Sequence, residues 1–460
     1  MLLPERHILS KSTFMYGNQC LKRLWLHKFN PTVRDEEDEE LKAIFQSGTD
    51  VGLLAQKRFY GGIDVSPVDA FHYQQSVVDT ANLISRGAKV IYEAAFQFEG
   101  VLAAMDIMVK RKDKWYAYEV KGSTSVKEPF LQDAALQYHV ITNSGVELED
   151  IFILHLNNKY IRNGELDLQQ LFAPTSVLDE VRMRQVKVVS KINELKNMLK
   201  SRLLPAISVG EHCNIPYSCD FQGHCNKDTI LEVPDFELPI VDKEGIAAFI
   251  ETIQYPLYFL DFETWSTPVP EQDGQWPYRQ MPFQFSLLIQ FKEGERLEHK
   301  EYLAENKNSD LLAFVENLLP SLGTKGSVIV YNKAFESTRL RELKEQFRQY
   351  DEVISSLQSR LVDLMSPFRK KQYYLPEMAG SYSIKQILPV LVPELGYDDL
   401  LIKDGGEAGS AFYNLDKYQD EETITEIRTS LLAYCQLDTF AMVRILEKLK
   451  EVCLVDKCGF

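Results

Sequence analysis

Two rhythms of apolar and polar residues run through the chain, and they divide it into recognisable elements. Val101 to Lys110 and Lys114 to Lys121 are β-rich runs joined by the polar Arg111-Lys112-Asp113, the pattern of a hairpin. Ser10-Lys11-Ser12 is a capping candidate ahead of a helix over Phe14 to Leu26. Gln132 to Ile141 predicts a helix, Ile151 to Leu156 a buried strand, and Asp179 to Arg202 a long helix. Farther on, Leu257 to Thr264, Phe283 to Phe291 and Ser327 to Asn332 predict strands. Ala334 to Tyr350, Glu352 to Met365 and Thr423 to Val452 predict helices. Strands and helices interleave, so the expected class is α/β, with mixed sheets flanked by helices.

The prolines and missing helical period of Ile230 to Glu244 mark a boundary. They predict a first domain over residues 1–228, a linker over 229–245 and a second domain over 246–460. A chain of 460 residues suits two or three domains. Its 45% hydrophobic and 26% charged composition is that of a folded protein. Neither a run of about 18 uncharged apolar residues nor the plan of a secretory signal is seen, so a cytoplasmic protein is expected, with no membrane partner. Seven cysteines in so long a chain fit a reducing compartment better than a disulfide framework. With 51 Lys and Arg against 67 Asp and Glu, the net charge is −16. Any contact with nucleic acid must therefore come from local basic patches. The cations of the long helix (Arg182, Arg184, Lys187, Lys191, Lys196, Lys200 and Arg202) and Arg369-Lys370-Lys371-Gln372-Tyr373-Tyr374 are candidates, with solvated surface as the alternative for both. The acidic run Asp35 to Glu40 reads as a solvated helix start.

Three constellations carry chemistry. Asp106 interrupts an apolar strand, and Glu119 and Lys121, two apart, share a face of the next one. A carboxylate there is costly unless it is paired or binds a cation. Two carboxylates can hold Mg²⁺ while a lysine orients or deprotonates a water; a plain surface pair is the alternative. Second, Cys213, Cys219 and Cys225 are evenly spaced, with Cys20 far upstream. Four thiolates can hold a [4Fe–4S] cluster or Zn²⁺. Third, Asp261 and Glu263 share a strand face, Glu336 opens a helix, and Tyr434 and Asp438 lie four apart on another helix. Carboxylates in this order can bind two metal ions, with Tyr434 positioning the attacking water.

The first set, with Gln137-Tyr138 after it and Cys20-Leu-Lys-Arg-Leu-Trp25-Leu26 before it, resembles the RecB-type PD-(D/E)XK nucleases, above all the CRISPR-associated ones with an iron–sulfur cluster. The resemblance implies metal binding by Asp106 and Glu119, water activation by Lys121, support from Gln137, and a [4Fe–4S] cluster on Cys20, Cys213, Cys219 and Cys225. It departs from that family at Gly52, where a metal-binding His is usual, and in the wider gap from Cys213 to Cys219. His212 and His224 read as bystanders. The third set, with Ser383-Ile-Lys-Gln-Ile-Leu-Pro389, resembles the DEDD exonucleases of the DnaQ-like, RNase H-fold superfamily. That implies metal binding by Asp261, Glu263, Glu336 and Asp438, with Glu336 standing where Asp is usual. Asn332 and Arg339 are candidate phosphate contacts.

The expected architecture is thus a restriction-endonuclease-like PD-(D/E)XK domain followed by an RNase H-like, DnaQ-type mixed-sheet domain. The expected function is a Mg²⁺- or Mn²⁺-dependent exonuclease acting 3′→5′ on DNA single strands or ends. Alternatives are a non-catalytic DNA-binding first domain, a scaffold in a repair or defence complex that could include a helicase, and RNA processing.

Overall fold

The computed structural model describes residues 5–35, 39–69, 72–227 and 238–454. The chain divides into two units: Met1–Glu232 with Thr267–Arg279, and Val233–Ser266 with Gln280–Phe460. Both are α/β. No helix among the described residues is long and apolar enough to cross a membrane.

In the first unit, strands β1 (Leu9–Ser10), β2 (Ile63–Asp64), β3 (Val90–Phe98), β4 (Val101–Arg111), β5 (Lys114–Lys121), β6 (Leu148–Leu156) and β7 (Phe172–Ser176) form one sheet. Its order is β2-β3-β4-β5-β6-β7, with β1 paired to β4. β3, β4 and β5 form an antiparallel meander, and β5 runs parallel to β6. The β4–β5 turn is the two residues Lys112 and Asp113, both at positive φ (47° and 63°), the conformation that matches strand twist in a tight hairpin. Helices α1 (Lys11–Gln19), α2 (Leu21–Phe29), α3 (Glu39–Arg58), α4 (Tyr73–Ser85), α5 (Glu128–Asn143), α6 (Leu168–Leu171), α7 (Leu178–Ser201) and α8 (Gln222–Lys227) accompany it. One apolar cluster joins Phe14, Leu136, Val181 and Leu195 to Ala117 and Ile153 of the sheet. Another joins Val51 and Leu171 to Tyr118 and Leu154, whose positions alternate with the first set.

In the second unit, β8 (Ile240–Val241) pairs with β14 (Tyr373–Tyr374). The main sheet contains β9 (Leu257–Trp265), β10 (Met281–Gln290), β11 (Glu298–Leu303), β12 (Ser327–Val330) and β13 (Leu361–Asp363), in the order β11-β10-β9-β12-β13. β10 is antiparallel to both neighbours, while β9, β12 and β13 run parallel. Nine consecutive residues of β10 are buried, as expected of a strand covered on both faces. The helices are α9 (Lys243–Glu251), α10 (Leu311–Leu318), α11 (Lys333–Gln346), α12 (Asp351–Ser359), α13 (Ser366–Arg369), α14 (Ile384–Leu391), α15 (Gly405–Tyr413) and α16 (Glu421–Leu454). Gln284 Nε2 of β10 donates to Leu431 O of α16 at 2.8 Å, and the Ser286 and Thr439 hydroxyls meet at 2.8 Å. These two buried ties pin α16 to the sheet on either side of Tyr434 to Asp438.

Several expectations are corrected. The helix over Phe14 to Leu26 is two helices, because Cys20 adopts an extended conformation (φ −159°, ψ 126°) between them. The helix over Glu352 to Met365 stops at Ser359, and Leu361–Asp363 enters the sheet instead. Residues 229–237 of the expected linker and the acidic positions 36–38 lie outside the described residues. From Ile240 onward the supposed linker is already strand β8 and helix α9. Thr267–Arg279, expected in the second domain, belongs to the first unit. There Arg162 Nη1 donates to Pro270 O and Glu271 O, each at 2.9 Å, and Gly164 N–H donates to Asp273 Oδ1 at 2.7 Å.

Candidate active centres

The second unit gathers its acids at the centre of its sheet. Asp261 and Glu263 project from one face of β9, and the face is the one α16 covers. α16 delivers Tyr434, Cys435 and Asp438, while α11 delivers Glu336 from its first turn, just after Asn332 at the N-cap. Glu263, Glu336 and Asp438 are 6%, 3% and 7% exposed. Burial, reinforced by the charge of Asp438, pushes the Asp261 carboxyl up to about 8. Asp438 is pushed up to about 6 by burial, against the pull of hydroxyl bonds from Tyr397 and Tyr434. Burial and then the charge of Asp261 raise both Glu263 and Glu336 well above the carboxylate range.

Little positive charge answers these acids. Lys385 of α14 acts on Glu263 and Asp438, with its Nζ 5.7 Å from the Tyr434 ring centroid and 6.0 Å from that of Tyr397. Arg339 is near Glu336, but its fork is engaged by Glu342 at 2.8 and 2.9 Å. Arg339 as a phosphate contact would have to share that fork with Glu342. Glu336 Oε2 and Asp363 Oδ1 are buried without a hydrogen-bond partner. Buried, mutually repelling carboxylates with unused lone pairs fit a divalent cation, which would supply the missing charge. Among the described residues, the group of three ligand atoms within 4.8 Å of one another is Asp261, Glu263 and Cys435.

Sequence reasoning missed four members of this centre. Tyr397, from the segment after α14, donates its hydroxyl to Asp438 Oδ1. Lys385 stands in the segment Ser383 to Pro389, where spacing alone assigns it no role. Cys435 places Sγ 3.6 Å from Asp261 Oδ2, and Asp363 ends the strand that had been expected as helix.

The first unit also collects its predicted residues, with a different charge balance. Glu119 is 1% exposed; its Oε1 accepts from Lys121 Nζ at 2.7 Å and from Lys11 Nζ at 2.8 Å, and its Oε2 accepts from Gln137 Nε2 at 2.6 Å. Lys121 Nζ also donates to Asp133 Oδ2 at 2.7 Å. Although burial opposes its charge, the two lysines hold Glu119 well below the carboxylate range, and its neighbouring acids raise Lys121. Asp106 accepts from Val120 N–H at 2.6 Å, and burial raises its carboxyl. Opposite it, Glu93 sits at φ 53°, and burial followed by the charge of Glu119 raises it to about 7. The β3–β4 register runs from Tyr92↔Ile107 to Ala94↔Met105, so Glu93 and Asp106 face each other where the alternation of both strands changes phase. Lys11, Asp133 and Glu93 were not predicted. Gly52, on α3, offers no side chain to this centre.

Cys20, Cys213, Cys219 and Cys225 line one small cavity with Leu26, His212 and Phe221. The extended residue between α1 and α2 is Cys20 itself, so the helix break presents its thiol. None of the four is in a disulfide, and burial raises Cys219 to about 11. A convergent thiol set fits a thiophilic metal or cluster. His212 Nε2 is 3.6 Å from Cys213 Sγ, its neighbour in the chain.

The proposed nucleic-acid tracks are less open than their sequences suggest. On α7, Arg184 pairs with Glu128 and Glu180, Lys191 with Glu194, and Lys196 with Glu99 O. In the 369–374 segment, Arg369 pairs with Asp363 at 2.9 Å and Tyr374 is buried in the core.

Residues 258–383 match a family described as a domain of unknown function, DUF2779. The chain is 26% identical over 216 residues to the Uncharacterized protein UU173 of Ureaplasma parvum serovar 3, a match covering 41% of this chain and 30% of that protein. It is also 26% identical over 234 residues to the Uncharacterized protein MG366 homolog of Mycoplasma pneumoniae, covering 44% and 34%. The chain thus spans about a third of the length of the curated relatives it matches.

Proposed function

We propose that the chain is a metal-dependent nuclease whose second unit trims DNA from 3′ ends, with single strands or frayed ends as substrate. The observation that carries this reading is the set of buried acids Asp261, Glu263, Glu336 and Asp438, raised by burial and mutual repulsion and short of compensating charge. The sheet order β11-β10-β9-β12-β13, with only β10 reversed, supports an RNase H-like assignment. Mg²⁺ or Mn²⁺ bound by the four acids would supply Lewis-acid charge to the phosphoryl oxygens.

The residues of the chain do the rest. Tyr397 fixes the Asp438 carboxylate, and Tyr434 shares that carboxylate from the preceding helical turn, where its hydroxyl can also orient the attacking water. Lys385, half-buried beside the two rings, sets a cation where a substrate phosphate would need one. Asn332, at the cap of α11, and Arg339, on the same helix, are the candidate phosphate contacts.

For the first unit, Asp106, Glu119, Lys121 and Gln137 support a RecB-like PD-(D/E)XK centre, and the four cysteines support a structural [4Fe–4S] cluster with Zn²⁺ as the alternative. One observation favours a DNA-binding, non-catalytic role there: Lys11 and Lys121 already neutralise Glu119. A cytoplasmic protein working on DNA ends in repair or defence, beside a helicase, is consistent with this reading.

The test is cleavage of 5′-labelled single-stranded DNA, duplex DNA and RNA by anaerobically purified wild type, Asp261→Ala and Lys121→Ala. Loss in Asp261→Ala alone supports the proposal. Loss in Lys121→Ala alone moves the activity to the first unit, and no cleavage by wild type leaves a scaffold.

A further inference from the structure

A thiol lies among the oxygens of the second unit's acid cluster. Cys435 is fully buried, one residue after Tyr434 and three before Asp438. Its Sγ is 3.6 Å from Asp261 Oδ2 and 3.9 Å from Asp261 O, and it falls with single oxygens of Asp261 and Glu263 inside a 4.8 Å group. Independently, Glu336 is 3% exposed, feels the charge of Asp261, and keeps Oε2 without a hydrogen-bond partner. The pocket therefore has ligand capacity beyond what its internal bonds use. Mg²⁺ takes oxygen ligands and leaves a thiol idle. A zinc-class ion takes thiolate sulfur at about 2.3 Å and carboxylate oxygen at about 2.0–2.2 Å, and the same donor set holds it more tightly than Mn²⁺.

We propose that Cys435 makes this centre a binding site for thiophilic divalent cations, with Asp261, Glu263 and Cys435 as ligands, and that such an ion holds the centre closed to the hard ions that hydrolysis needs. This deepens the nuclease reading and rests on it for its consequence, the closing of the enzyme. On binding, the S–H bond breaks, the sulfur–metal bond forms and the proton leaves to solvent, with no change of oxidation state.

The probe is Co²⁺, titrated in excess Mg²⁺ into the full chain as wild type, Cys435→Ser and Asp261→Asn, reading the thiolate-to-cobalt charge-transfer band. The cysteines of the first unit contribute equally to all three and cancel in the difference. Wild type minus Cys435→Ser should retain the band of about one thiolate, and Asp261→Asn, with the thiol intact, should weaken Co²⁺ binding at least about tenfold. Identical spectra for wild type and Cys435→Ser overturn the proposal. Should Cys435→Ser fail to fold by circular dichroism, unchanged affinity in Asp261→Asn overturns it instead. A Cys435-dependent band in a protein that does not cut DNA keeps the metal site and removes the nuclease reading. DNA cutting without the band removes the metal site alone.

Discussion

Replacing Asp261 by Asn should stabilise the metal-free protein while removing its response to metal. Burial and then the charge of Asp438 push the folded Asp261 carboxyl up to about 8 against an ordinary 3.8. Between those values the unfolded chain has released its proton and the folded chain still holds it. Stability is therefore fully present below the lower value and falls as pH rises through the window. At about 1.36 kcal/mol per pH unit, the interval from 3.8 to about 8 bounds the loss at about 6 kcal/mol. Water reaching the half-buried carboxyl and movement of its neighbours reduce that, and we expect ~1–3 kcal/mol at pH 8. For a unit of this size that is roughly 3–9 °C in melting temperature. The assay is calorimetry of the full chain in chelator at pH 8 and at pH 5, where the variant's advantage should shrink to about a third. Adding Mn²⁺ should then raise the melting temperature of wild type and leave Asp261→Asn nearly unmoved. A variant less stable than wild type in chelator at pH 8 would mean that the carboxylate is held by favourable partners, the opposite of a group strained by its neighbours.

Other expectations follow from the same geometry. Lys11→Met removes one of two cations from the buried Glu119 and should destabilise the first unit by about 3 kcal/mol in denaturant unfolding; 3′ trimming by the second unit should persist. Cys213→Ser should abolish the visible absorption and iron content of anaerobically purified protein and lower the first unit's melting temperature. Tyr397→Phe removes the hydroxyl that fixes Asp438 and should raise the Mg²⁺ concentration needed for half-maximal cleavage by roughly tenfold, with the circular dichroism spectrum unchanged.

What could be read from the sequence depended on local spacing. Alternation placed Asp261 with Glu263 and Glu119 with Lys121, and helical period placed Tyr434 with Asp438, because those relations are set by backbone geometry within a few residues. The β4–β5 hairpin was equally local. Contacts closed by tertiary packing were not legible: Lys11 meets Glu119 across 108 residues, and Tyr397 meets Asp438 across 41. Glu93 escaped notice because its place opposite Asp106 depends on a phase change in two strands that leaves no mark in composition. Strand β13 was hidden because Leu361-Val-Asp-Leu continues the apolar period of the preceding helix, and pairing to β12 overrides that propensity. Cys435, by contrast, stood inside the Tyr434–Asp438 motif, and a thiol between two such residues was a signal available from the start.

In the proposed function, the acids on β9, α11 and α16 form a cation-dependent centre that removes nucleotides from DNA 3′ ends. A time course on 5′-labelled single-stranded DNA with Mg²⁺, comparing wild type with Asp438→Ala, tests it most directly. Wild type should give a descending ladder from the 3′ end, abolished by chelator, and Asp438→Ala should leave the substrate intact. Equal ladders from the two proteins would contradict it.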